Sequence, residues 1–163
     1  MSNSAEYKII SIRDNPNMLD SMVEYYTSRW KLKKEVWHGL ISDCISTENP
    51  LPRWYLMLMN ERIVGCVGLM ADDTAENDFK PTLAGLYVEY DMRGSELGAN
   101  LFYHASEETK NLGFSKLYLT THHTGYFEKY GAIYVGDEVY GDSKARSYVV
   151  DVTDMPRPCE MKK

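Results

Sequence analysis

Residues 89–100, EYDMRGSELGAN, place Arg93, Gly94, Gly98 and Ala99 where an apolar run ends and helical spacing begins. The first backbone N–H groups of a helix have no intrahelical partner and converge outward, and the helix dipole adds roughly 0.3–1 kcal/mol for an anion placed there. Small residues let a diphosphate approach the main chain, and an arginine adds charge-assisted hydrogen bonds. The segment therefore suits a diphosphate cradle. An ordinary strand-to-helix turn would use the same residues, so two glycines alone leave both readings open.

The other chemistry-bearing residues narrow the choices. The glycine spacing fits neither G-x-G-x-x-G nor G-x-x-x-x-G-K, so hydride transfer and nucleotide hydrolysis are unsupported. His122 and His123 are consecutive. On an extended segment they face opposite ways and make a poor chelate; one is expected to line a cleft at the strand's end and the other to be solvated. Glu89, Asp72 and Asp73 are the acids near the glycine turn by sequence and are expected to be solvated loop residues. Cys44, Cys66 and Cys159 are widely spaced and lack companion ligands, so neither a disulfide framework nor a metal site is indicated. The first two are expected to fill the core.

The chain of 163 residues, 44% hydrophobic and 26% charged, suits one compact domain over residues 1–155, with a frayed Pro-containing tail over 156–163. A net charge of −6 argues against nucleic acid as a partner. The polar start MSNSAEYK and the short longest apolar run, IVGCVGLMA, argue against a signal peptide or a membrane span and predict a cytoplasmic protein.

The elements that must position these residues can be read from periodicity. EYKIISIR predicts a strand, Asp14–Pro16 a helix start, and two short helices follow, carrying Tyr25, Tyr26 and Trp30, then Trp37 and Cys44. RWYLMLM and RIVGCVGLMA around Asn60-Glu61 predict a hairpin of core strands. PTLAGLYVEY is a further strand; Leu97, Leu101, Phe102, Ala105 and Leu112 mark a helix that Gly113 can end in a left-handed cap. KLYLTT, a short helix TGYFEKY, then strands GAIYVG and RSYVVDV complete an α/β chain, a mixed sheet with helices on its faces.

RGSELGA resembles the pyrophosphate loop Q/R-x-x-G-x-G/A of the GNAT superfamily of N-acetyltransferases. LPRWYLMLMNERIVGCVGLM resembles that family's central hairpin, LAGLYVEYDMRG its fourth strand, and TGYFEKYGA its late helix and turn. The resemblance covers nearly the whole chain. It implies a GNAT-like fold with a central, mostly antiparallel twisted sheet of six or seven strands, acetyl-CoA as cosubstrate, no metal, and direct acyl transfer to a primary amine of a small molecule or peptide. By the same resemblance the backbone of Leu86, Tyr87 and Val88 pairs with the pantetheine arm, and Arg93, Gly94, Ser95, Glu96, Leu97, Gly98 and Ala99 hold the pyrophosphate. The last strands of such folds can pair across a homodimer.

The sequence departs from the family pattern at three places. Glu96 stands at the first glycine position, where a solvated carboxylate about 4 Å from a diphosphate costs on the order of 1 kcal/mol and weakens the coenzyme. Phe127 stands where many members carry a tyrosine that protonates the leaving thiolate; Tyr126 precedes it, about 100° away on a helix, and is the candidate acid. Thr82, Ala84 and Gly85 stand where a strand carboxylate could have been. The base matters more than the acid: a thiol of pKa about 8.5 leaves with a penalty of about 2 kcal/mol at most, whereas deprotonating an alkylamine of pKa about 10.4 costs roughly 4–5 kcal/mol at pH 7. A water-relayed base or a low-pKa acceptor is expected. Aromatics on the two early helices can wall the acceptor pocket or simply pack on the sheet. The rival to catalysis is a CoA-binding regulatory module that has lost efficient chemistry.

Overall fold

The computed structural model describes residues 6–72, 80–94 and 96–154. Ser95, Asp73 and the tail from 155 onward, with Cys159, lie outside the described residues. Seven strands form one mixed sheet: β1 (Lys8–Ser11), β2 (Arg53–Met59), β3 (Arg62–Asp72), β4 (Lys80–Val88), β5 (Lys116–Thr121), β6 (Ile133–Tyr140) and β7 (Ser143–Asp151). Their order is β1-β2-β3-β4-β5-β7-β6, and β4–β5 is the one parallel pair. Among the described residues three α-helices cover the sheet: α1 (Leu19–Arg29), α2 (Lys34–Ser46) and α3 (Leu97–Asn111).

Strand alternation splits the core in two. On β2, Tyr55 and Met57 pack with Leu101, Phe102 and Ala105 of α3, while Trp54 and Leu56 pack with Tyr26, Trp37 and Ile41 of α1 and α2. Asn60 and Glu61 both take positive φ, 51° and 70°, which gives the β2–β3 hairpin its tight turn. At the end of α3, Gly113 has φ 97°, with Gly113 N–H to Lys110 O at 3.0 Å and Phe114 N–H to Thr109 O at 3.2 Å, the paired bonds of a Schellman cap. The expected helix at TGYFEKY is instead a 3₁₀ turn, Phe127–Tyr130. Gly125 and Gly131, at φ 88° and 98°, bracket a segment too short to nucleate an α-helix. Cys44 and Cys66 are both fully buried. No described helix is long and apolar enough to cross a membrane.

Candidate active site

The parallel pair β4–β5 is joined at a single register point, Thr82 opposite Tyr118, and the strands part beyond it. Between them lies a groove of about 720 Å³, walled by Leu83–Val88 on one side and Leu119–His123 on the other, with Arg93, Gly94 and the first residues of α3 at one end. An open strand edge there presents main-chain groups to an extended amide-containing ligand. Leu86, Tyr87, Val88, Arg93, Gly94, Glu96, Leu97 and Gly98 all line this groove. Ala99 is instead 1% exposed.

The start of α3 is the polar end of the groove. The first intrahelical bond is Asn100 N–H to Glu96 O, 2.9 Å, so the amides of Leu97, Gly98 and Ala99 precede the helical ladder. Arg93 folds back: its Nε donates to Val88 O at 3.0 Å, and its guanidinium carbon lies 5.2 Å from the Tyr87 ring centre. Glu96, the N-cap of α3, sits at φ 69°, ψ 9°, in the left-handed region. That conformation explains why glycine suits the position: it carries no penalty there, whereas a residue with a Cβ is strained by about 1 kcal/mol. Glu96→Gly is expected to leave stability unchanged or raise it by up to about 1 kcal/mol by removing strain and, if a coenzyme A diphosphate sits at this helix start, to tighten it about fivefold by removing like charge. Isothermal titration of both proteins checks this; an unchanged or weaker affinity contradicts it.

β4 carries a bulge that sequence reasoning missed. Cys66 pairs with Tyr87 and Gly68 with Ala84, so a two-residue step on β3 faces a three-residue step on β4. Gly85, inside the bulge, has φ 59°, and a Cβ there would lie 2.8 Å from Tyr26 Cε1 and Oη. Tyr26 Oη donates to Gly85 O at 2.8 Å, and its ring is stacked on Trp37 with centres 4.4 Å apart. The available signal was a lone glycine within a strand pattern, which marks a bulge or a close approach. Of the four early aromatics, Trp30 lines the groove; Tyr25, Tyr26 and Trp37 are core residues.

Tyr126 and Phe127 take separate places. The Phe127 ring packs 5.2 Å from that of Phe102, whereas Tyr126 lines the groove with its hydroxyl over Gly98: a Cβ added to Gly98 would lie 2.5 Å from Tyr126 Oη. Burial raises the Tyr126 pKa, so the hydroxyl keeps its proton at neutral pH and can donate it. Burial pushes the Cys66 thiol up to about 12, leaving it a poor nucleophile.

Glu89 is not a solvated loop residue. Its carboxylate accepts from Tyr25 Oη at 2.6 Å and from Arg29 Nε and Nη2 at 2.9 and 2.8 Å, with 15% of the side chain exposed. The clamp ties the end of β4 to the end of α1. The Arg29 guanidinium, ahead of the Tyr25 hydroxyl, holds the Glu89 pKa below the usual carboxylate range, so its favoured state is the ionised one and it is a poor proton acceptor. Because the folded-state value is depressed, the stabilisation is present above the unfolded carboxylate pKa and fades as pH falls through the folded one. Glu89→Gln is expected to cost about 2 kcal/mol at pH 7, with the gap to the parent narrowing under acid. Urea denaturation at pH 7 and at pH 4 checks it; a gap that widens in acid contradicts it.

His122 and His123 both line the groove and both are exposed, unlike the expected division of one lining and one solvated. Among the described residues no cluster of three or more His, Cys, Asp or Glu side chains could hold a metal ion.

The Acetyltransferase (GNAT) family model matches residues 16–132. An acetyltransferase of the GNAT family from Streptococcus pneumoniae superposes with a TM-score of 0.69 at 15% identity, covering 92% of this chain and 99% of that one. An aminoglycoside 6'-acetyltransferase type Ii gives 0.66 at 20% identity, covering 93% and 99%. The NatC complex bound to Gag peptide and CoA gives 0.66 at 15%, covering 90% and 97%. The sequence matches none of the curated proteins compared with it.

Proposed function

The chain belongs to the Acetyltransferase (GNAT) family, whose members use acetyl-CoA, and on that premise we propose that it transfers an acetyl group from acetyl-CoA to a primary amine by direct attack in a ternary complex. The observation that carries this reading is the gap between β4 and β5, which closes only at Thr82 and Tyr118 and opens onto the unladdered start of α3 at Leu97 and Gly98. Pantetheine is an extended chain of amides and fits a strand's place in that gap; the diphosphate fits the helix start. The amine nitrogen attacks the thioester carbonyl, the C–S bond breaks, and the Tyr126 hydroxyl stands in the groove to give the departing sulfur a proton. The high pKa of the buried Cys66 thiol disfavours a route through an acetyl-cysteine. The reading implies a cytoplasmic enzyme and a small-molecule or peptide acceptor.

The test combines titration calorimetry with acetyl-CoA and a free-thiol assay on spermidine, an aminoglycoside and a peptide with a free N-terminal amine. Saturable binding and CoASH release dependent on one of these amines is the expected result. Binding without release for any amine would leave a CoA-binding module, and absence of binding would sink both.

A further inference from the structure

We propose that His122 is the general base that deprotonates the acceptor amine, in place of a water relay. The inference rests on the acetyl transfer argued above and adds the group that makes the amine nucleophilic.

Three observations converge on this residue. The wall of the groove across from the β4 bulge at Gly85 is formed by Leu119–His123, so His122 and the bulged segment line the same gap. Along β5, Leu117 and Leu119 belong to the core shared with α3, so alternation turns Tyr118 and Thr120 to the opposite face; His122 follows the strand in a bend and lines the groove that Trp30 also enters. Finally, His122 Nδ1 lies 3.2 Å from Lys144 O. A carbonyl oxygen only accepts, so Nδ1 carries the hydrogen and the neutral ring keeps its lone pair on Nε2. Among the described groove residues Glu96 is the one carboxylate, and it sits at the start of α3, while Glu89 is held by Arg29 and Tyr25.

The proton account closes. One N–H bond of the ammonium breaks, its electron pair stays on nitrogen, and the proton moves to Nε2. The pair then forms the C–N bond to the acetyl carbon, and the C–S bond breaks with its electrons passing to sulfur. The Tyr126 hydroxyl gives its proton to sulfur and is restored by the second nitrogen-bound proton, and the imidazolium of exposed His122 releases its proton to water. Ammonium and acetyl-CoA become amide, CoASH and one proton.

His122→Asn retains an N–H donor near the Nδ1 position and removes the base. With the full chain and whichever of the three amines is turned over fastest, kcat is expected to fall about 100-fold while KM for acetyl-CoA stays within twofold, and added imidazole should restore at least tenfold of the loss. A kcat within threefold of the parent, a loss that imidazole does not rescue, or a rescuable loss in His123→Asn instead would each overturn the proposal and leave acetyl transfer standing. Long-range proton–nitrogen NMR of the parent reads the ring without any turnover: a protonated Nδ1 is expected, and a dominant Nε2–H form overturns the assignment. If the parent acetylates none of the amines, the transferase reading fails and this inference falls with it.

Discussion

Gly85→Ala is expected to lower unfolding free energy by about 3 kcal/mol and to depress acetyl transfer in whatever protein still folds. Two costs add. An alanine at φ 59° sits in the left-handed region, about 1–2 kcal/mol above its preferred conformations. Its methyl group would also lie 2.8 Å from the Tyr26 ring and hydroxyl. That ring is fully buried, stacked on Trp37 and flanked edge-on by Trp54 at 5.4 Å, so it has nowhere to retreat, and overpacking of this kind costs about 1–3 kcal/mol. The entropy lost by the unfolded chain offsets less than about 1 kcal/mol. Chemical denaturation reads the stability term, and kcat with saturating acetyl-CoA reads the bulge. A variant as stable and as active as the parent would mean that the bulge is not held as described.

Gly98→Val is expected to act on the coenzyme rather than on the fold. Its Cβ would lie 2.5 Å from Tyr126 Oη, but Tyr126 is half-buried at the rim of a groove and can swing aside, so the melting temperature should move little. What the branched side chain then occupies is the approach to the helix start at Leu97 and Gly98. Losing one or two charge-assisted hydrogen bonds to a diphosphate, each about 1.5–3 kcal/mol, is expected to weaken coenzyme A by at least about 10-fold. Calorimetric titration with CoA decides: a dissociation constant within threefold of the parent would show that the diphosphate is held elsewhere. The pair of glycine variants also separates two roles, since Gly85 supports a strand geometry and Gly98 leaves space for a ligand.

Much of the architecture was legible because it rests on local regularities. The apolar alternation of RWYLMLM and the Asn60-Glu61 turn specify a hairpin, and the spacing of Leu97, Leu101, Phe102 and Ala105 with Gly113 after it specifies a capped helix. TGYFEKY reads as a short helix in the sequence but folds as a single 3₁₀ turn, because one turn has no periodicity to measure. The glycine segment at residues 93–99 could be located, with its small residues and missing helical partners, since both follow from a strand running into a helix.

What the order of residues determined by itself was the set of elements, the small-residue turn at 93–99 where a strand runs into a helix, and the oddity of Glu96 where a glycine would fit. Only the tertiary structure decided which side chains share the groove. Tyr126 and Phe127 are neighbours in sequence, yet one faces Gly98 and the other Phe102. Glu89 reads as a surface acid until Tyr25 and Arg29, more than 55 residues away, close on it. His122 Nδ1 meets the carbonyl of Lys144, on another strand, at 3.2 Å. Periodicity reports how a residue sits relative to its own backbone; charge state, tautomer and access depend on partners brought in by long-range pairing, and no local pattern encodes those.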